Sequence, residues 1–227
     1  MNIAVVLAGG IGARVGGNLP KQLLPLADGK TILEHSVDAF DEADCVDEVC
    51  IVMHPDYISV AEKMLRENSW KKVRYIIPGG KERWESSVNA IRKYQDILSG
   101  DEFATANILL HDAARPFVSQ RIIADVCKAL KEHEAVVVAI PSTDTVYEMQ
   151  DGCVARIPNR STIMRAQTPQ AFRLPLIAEA YAVETQYIAS VQATDDCGVV
   201  HKNLPNIPIH IVLGEEQNKK ITFKEDI

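Results

Sequence analysis

The chain has 227 residues, 47% of them hydrophobic, with 31 acidic and 24 basic side chains and a formal net charge of −7. That length suits one α/β domain with a sizeable core, and the acidic balance speaks against broad nucleic-acid or membrane-surface binding, so an anionic ligand needs locally clustered cations. The five cysteines (Cys45, Cys50, Cys127, Cys153 and Cys197) are odd in number and lack Cys-x-x-Cys spacing, which argues against a disulfide framework or a zinc site. No signal-like segment precedes Asn2-Ile3 and no apolar run approaches membrane-spanning length, so the expected location is the reducing cytoplasm.

Ile3 to Leu7 is short, apolar and rich in β-branched residues, the pattern of a buried strand. It breaks into Ala8-Gly9-Gly10-Ile11-Gly12-Ala13-Arg14. Glycines there let backbone N–H groups close on an anion without a Cβ in the way, and Arg14 and Lys21 add charge that backbone lacks. A Walker A loop would need Gly-Lys-Ser/Thr after four intervening residues, and none follows. A dinucleotide fingerprint needs a helix starting inside the glycine run, which Gly16-Gly17 and Pro20 oppose. Gly9 to Gln22 therefore reads as a long loop over a ligand, with an ordinary strand-to-helix turn as the alternative.

Ile32, Leu33, Val37 and Phe40 recur at helical spacing behind Thr31, a candidate N-cap. Val46 to Met53 and Val73 to Ile77 read as strands around a helical stretch at Val60 to Leu65, and Pro78-Gly79-Gly80 stops the second of them. A helix over Glu82 to Ile97 follows, with Ser86 and Ser87 in its first turn. Ile108 to His111 is a further strand, and it places Asp112 at a carboxyl end, where open α/β sheets bind ligands. Arg121 to Leu130 is helical and Ala135 to Ile140 a buried strand. The alternation implies a largely parallel sheet with helices on both faces. The rhythm then changes: Thr145 to Met149 and Cys153 to Ile157 flank Asp151-Gly152, a hairpin signal. Such a hairpin needs a partner surface. Thr168-Pro169-Gln170 returns the chain to the sheet, Leu174 to Tyr181 is helical, Thr194-Asp195-Asp196 suits a helix cap, and Ile207 to Leu213 is a last strand.

The first strand, its Ala-Gly-Gly-x-Gly-x-Arg turn and the following Pro-Lys-Gln resemble the signature of sugar nucleotidyltransferases. Further segments narrow the resemblance to cytidylyltransferases acting on methylerythritol 4-phosphate or ribitol 5-phosphate. They are Gly79-Gly80-Lys81-Glu82-Arg83, His111-Asp112-Ala113-Ala114-Arg115-Pro116, Asp144-Thr145-Val146, Ala166-Gln167-Thr168-Pro169-Gln170-Ala171-Phe172, Thr194-Asp195-Asp196 and Asn218-Lys219-Lys220-Ile221-Thr222. They fall in the family's order across nearly the whole chain.

The resemblance implies a Rossmann-like α/β fold of the nucleotide-diphospho-sugar transferase type, one domain over residues 1–227. Residues 141–165 would form a protruding β-hairpin arm that clasps a second copy in a homodimer. It implies transfer of CMP from CTP to a polyol phosphate with release of pyrophosphate. A phosphate monoester is already largely ionised near neutrality, its second pKa being about 6, so the site needs charge neutralisation and alignment more than a general base.

By the same resemblance Arg14, Lys21 and Lys220 are catalytic, and Ala8, Gly9, Gly10 and Gly12 cradle the triphosphate. Gly80, Lys81 and Ser87 read the cytosine. Asp112, Arg115, Thr168 and Thr194 bind the acceptor, with Thr145 and Arg160 reaching in from the partner subunit. Mg²⁺ would bridge the phosphates, touching Asp112. Val15 stands where relatives commonly carry Met, and Lys219 where an apolar residue is usual, which leaves Lys219 as an alternative to Lys220. The family pattern also leads one to expect a closing helix after Ile227.

The acceptor stays open between the two polyol phosphates. The His111 to Pro116 and Thr194 to Asp196 segments resemble the methylerythritol phosphate enzymes of isoprenoid synthesis, the favoured reading. Phe117, Ile157-Pro158-Asn159-Arg160 and Cys197 to Val200 resemble the ribitol phosphate enzymes of wall and capsule synthesis. Two rivals belong to other classes: a nicotinamide-dependent oxidoreductase using Gly10-x-Gly12, and an inactive nucleotide-binding protein of the same fold.

Overall fold

In the computed structural model, which describes residues 1–10, 19–185, 194–223 and 226, the first apolar run forms β1 (Asn2–Ala8), a fully hydrogen-bonded inner strand. The chain continues through α1 (Ile32–Asp41), β2 (Glu48–Met53), α2 (Ile58–Glu67), β3 (Val73–Pro78), α3 (Arg83–Ile97), α4 (Gly100–Thr105) and β4 (Asn107–Asp112). Then come α5 (Gln120–Ala129), β5 (Ala135–Pro141), β6 (Glu148–Gln150), β7 (Cys153–Arg156), β8 (Met164–Arg173), α6 (Leu174–Thr185), α7 (Asp196–Asn203) and β9 (Ile209–Leu213). Thr31 caps α1 as its position suggests: its hydroxyl accepts from the Glu34 N–H, and the Glu34 carboxylate accepts from the Thr31 N–H.

The main sheet has the order β3-β2-β1-β4-β8-β5-β9. All its pairings are parallel except those of β8, which runs antiparallel between β4 and β5. Alternation along β1 separates two cores. Ala4, Val6 and Ala8 face α1, α2 and α5, while Ile3, Val5 and Leu7 face α3, α6 and α7. The mostly parallel sheet covered on both faces agrees with the sequence reading. Two elements were not anticipated: α4, six residues begun by a Ser99–Glu102 capping box, and the ten-residue strand β8.

The pairing of β5 with β8 jumps from Val137↔Gln170 to Val138↔Gln167, so Thr168 and Pro169 bulge from the ladder. Proline has no N–H to give a ladder, and a bulge re-aims side chains. This one carries Thr168 to the end of β4. The anticipated hairpin forms from β6 and β7, a separate two-stranded sheet. Asp151 and Gly152 take φ of +50° and +78°, the primed turn that Asp-Gly favours. Every residue of its strands is exposed, Met149 and Val154 included. Cys50, Cys127 and Cys197 are buried free thiols. Among the described residues no helix is long and apolar enough to cross a membrane.

Candidate active site

The carboxyl ends of β1, β3 and β4 meet around a cleft of about 670 Å³. Its floor is the turn after β1, lined by Ala8, Gly9 and Gly10. Gln22, nearly fully buried, holds that turn: its Nε2 donates to the carbonyls of Ala8 at 2.6 Å and Gly10 at 2.8 Å. Lys21, in a single 3₁₀ turn behind Pro20, lines the cleft and donates to the Ile221 carbonyl at 2.7 Å. Gly12 and Arg14 lie outside the described residues.

The wall opposite comes from β3 and the start of α3. Gly80, Lys81, Arg83 and Ser86 line it. The Gly80 N–H donates to the Ser86 hydroxyl at 3.1 Å. Ser86 faces the cleft, whereas Ser87, proposed from sequence, is fully buried and does not line it. One helical residue is a 100° rotation, so choosing between adjacent serines requires the helix phase. A second hollow of about 810 Å³ opens across the Gly79-Gly80-Lys81 ridge, toward His54, Trp84 and Arg92.

Asp112 stands where the third wall begins. Its Oδ1 accepts from Arg83 Nε at 2.9 Å and its Oδ2 from Lys220 Nζ at 2.7 Å. Burial alone would raise its pKa, but the two cations hold it well below the usual carboxylate range. Lys219 takes the other direction, toward Asp226 at 3.7 Å. Of the two lysines, Lys220 lines the cleft and Lys219 does not.

Beneath Asp112 runs a buried chain of hydrogen bonds. The Asp112 N–H donates to Thr168 Oγ1 at 3.1 Å, and Thr168 Oγ1 lies 3.1 Å from His111 Nδ1. His111 Nε2 is 3.0 Å from the Arg115 carbonyl, which can only accept. Nε2 therefore carries the imidazole proton, and Nδ1 accepts from the Thr168 hydroxyl. Burial lowers the His111 pKa to about 4, so the ring is neutral at pH 7.

Thr168 is thus committed to the protein interior and does not line the cleft. Arg115 is likewise turned inward, donating to the carbonyls of Asn218 at 2.8 Å and Ala166 at 3.3 Å. It holds the segment that delivers Lys220. Thr194 is exposed just before α7, and Thr145 and Arg160 are exposed on the arm; none of the three lines the cleft of its own chain. The site residues not singled out from sequence are Gln22, Arg83 and Ser86. All three sit inside quoted motifs or beside them, but the partners of Gln22 and Arg83 lie outside any local spacing rule, and Ser86 needs the phase of α3.

A glycine turn at the end of the first strand, Lys21 and Lys220 brought together from distant parts of the sequence, and the cation-paired carboxylate of Asp112 define a nucleotidyltransferase of the Rossmann-like α/β class. The model of the 2-C-methyl-D-erythritol 4-phosphate cytidylyltransferase family matches residues 2–227, and the chain belongs to that family. A protein of that name from Thermobifida fusca is 47% identical over 99% of this chain and 89% of its own length. A Haemophilus influenzae protein named bifunctional ribulose 5-phosphate reductase/CDP-ribitol pyrophosphorylase is 38% identical over all of this chain and 46% of its own. Among solved structures, 4-diphosphocytidyl-2C-methyl-D-erythritol synthase from Anaerococcus prevotii superposes with a TM-score of 0.82 at 29% identity, covering 99% of this chain and 92% of that one.

Proposed function

We propose that the protein transfers CMP from CTP to 2-C-methyl-D-erythritol 4-phosphate and releases pyrophosphate. The observation that carries this reading is the meeting of Lys21, Lys220 and Asp112 around the glycine turn, in a chain of this family. An acceptor phosphate oxygen forms a bond to the α-phosphorus of CTP. The bond from that phosphorus to the bridging oxygen breaks, and its electron pair leaves with pyrophosphate. Lys21 and Arg14 hold the triphosphate, and Lys220 exchanges Asp112 for the charge developing at the α-phosphate. The backbone N–H groups around Gly9 and Gly10 close on the phosphates, with Gly12 extending the cradle.

Gly80, Lys81 and Ser86 form the ridge against which the cytosine lies. Fixed backbone groups there separate cytosine from uracil, because a mismatch leaves buried polar atoms unpaired. Asp112 fits as a carboxylate for a phosphate-bound Mg²⁺, which takes one or two such ligands beside the phosphates and water. Among the described residues no cluster of three or more acidic, His or Cys side chains could hold an ion alone. When bound, Mg²⁺ supplies neutralisation of phosphate charge.

Thr194 faces the acceptor, while Arg115 and Thr168 act by fixing Lys220 and Asp112. The arm, residues 141–165 of a single cytidylyltransferase domain, clasps a second copy and brings Thr145 and Arg160 to the partner's acceptor. Its exposed Tyr147, Met149, Val154 and Ile157 support this pairing. The dimer works in the cytoplasm.

Pyrophosphate release with CTP and Mg²⁺, run in parallel with methylerythritol 4-phosphate and ribitol 5-phosphate, tests the reading. Turnover with the first acceptor is expected. Turnover confined to the second, toward which the Haemophilus relative's name leans, would replace it. Sedimentation of the wild type against a Met149→Lys, Val154→Lys double variant tests the arm: the wild type runs as a dimer and the variant as a monomer.

A further inference from the structure

Arg83 is the first residue of α3 and spans two carboxylates from separate elements. Its Nε donates to Asp112 Oδ1 at 2.9 Å and its Nη1 to Asp196 Oδ2 at 2.7 Å. Asp196 is fully buried and opens α7, directly behind Thr194 and Asp195. Its other oxygen accepts from the Tyr181 hydroxyl at 2.6 Å. Asp195 caps the same helix, accepting from the Gly198 N–H at 2.8 Å and from Gln170 Nε2 at 2.7 Å. The start of α7 is therefore held by side chains from α3, α6 and β8.

The two cations on Asp112 differ in freedom. The Lys220 side chain is 43% exposed and free to move to a phosphate; the Arg83 side chain is 27% exposed and anchored on its far side by Asp196. Once Lys220 leaves, Arg83 still holds Asp112 through Oδ1, with Oδ2 released toward the cleft. A planar guanidinium serves two carboxylates at a fixed angle, whereas a lysine ammonium is a point charge without that fork.

We infer that Arg83 is a positioning residue for the transfer: it aims Asp112 into the cleft and ties that carboxylate to the helix start that carries Thr194, so one side chain sets the acceptor side. The inference rests on the proposed transfer reaction and goes beyond it in assigning the acceptor's alignment to a group that acts through Asp112 and the start of α7.

The test compares wild type with Arg83→Lys, Arg83→Met and Asp196→Asn. CTP affinity is measured by calorimetry without acceptor, and kcat/KM for the polyol phosphate by pyrophosphate release. Misplacement of reacting groups by about 1 Å typically costs about 100-fold. Arg83→Lys and Arg83→Met are expected to lose about that much in acceptor kcat/KM while CTP affinity stays within about threefold of wild type. Asp196→Asn should move the same parameter in the same direction by about tenfold, and adding it to Arg83→Met should change nothing further. Should Arg83→Met not fold, Arg83→Lys and Asp196→Asn carry the test. Wild-type kinetics in Arg83→Lys would overturn the inference, since charge alone would then suffice. A CTP affinity falling in step with the acceptor parameter would also overturn it, by reducing Arg83 to a general structural role. A folded wild type that releases no pyrophosphate with either acceptor would instead overturn the proposed reaction, and the inference with it.

Discussion

A Cβ added to Gly79 would fall 3.0 Å from the Cα of Gly9 and 2.9 Å from the Ser86 hydroxyl oxygen. The turns after β1 and β3 thus touch backbone to backbone, and this contact sets the width of the cleft floor. Gly79→Ala must push the turns apart, which is expected to lower both the thermal midpoint and CTP affinity, the latter by about tenfold or more. At Gly10 an added Cβ meets nothing within 4 Å. Gly10→Ala should therefore leave the midpoint in place and act on CTP affinity alone. Differential scanning calorimetry with CTP titration separates the two; equal effects on the midpoint would count against the contact.

The adjacent lysines offer a sharper contrast. Lys220→Ala removes a cleft cation and is expected to cost about 3–4 kcal/mol of transition-state stabilisation, two to three orders of magnitude in turnover. Lys219 makes only a long, half-exposed pair with Asp226, and such pairs contribute about 0–1 kcal/mol. Lys219→Ala should retain near-wild-type kcat. Steady-state pyrophosphate release reads both, and reversal of their order would refute the assignment.

Gln22→Leu keeps approximate size but leaves the carbonyls of Ala8 and Gly10 without their donor. Loss of a partner to a buried polar group costs about 1–3 kcal/mol. Urea denaturation should show a loss in that range, accompanied by weaker CTP binding because the glycine turn is released. A variant that is less stable yet binds CTP normally would show that the turn holds its shape without Gln22.

Acid should act on His111 before it acts on Asp112. The folded state keeps His111 unprotonated down to about pH 4, while the unfolded chain takes up a proton near pH 6.5. Between those values the unfolded state binds more protons, so stability falls as pH falls, by about 3 kcal/mol in total. Asp112, held low, contributes stability that is lost only at still lower pH. Stability measured in urea from pH 7 to pH 4, alongside the NMR titration of the His111 ring, checks this. A ring titrating near pH 6.5 would contradict it.

Much of this architecture is legible in local pattern. The run Ile3 to Leu7, the glycines behind it, the Asp151-Gly152 turn and the placement of Asp112 at a strand end all depend on neighbours a few residues away. What escaped the sequence depends on distance. The helix α4 is too short for a periodic face, although Ser99-x-x-Glu102 marks its start. The strand β8 reads as polar because Gln167, Thr168 and Gln170, all buried, serve hydrogen bonds to Asn218, Asp112 and Asp195. Arg83 and Asp196 are 113 residues apart, and no spacing rule links them.

Lys21 reaches the carbonyl of Ile221, a partner 200 residues away, and Lys220 returns to Asp112 across 108. The last strand, β9, has already ended at Leu213. During synthesis every strand among the described residues is therefore in hand before the cleft has its second lysine. A ribosome-bound chain stopped near Leu213, or a copy clipped there by a protease, would keep its sheet residues yet lack the charge that meets the nucleotide. Formation of the sheet and completion of the cleft are thus separable, the second depending on the segment that follows β9.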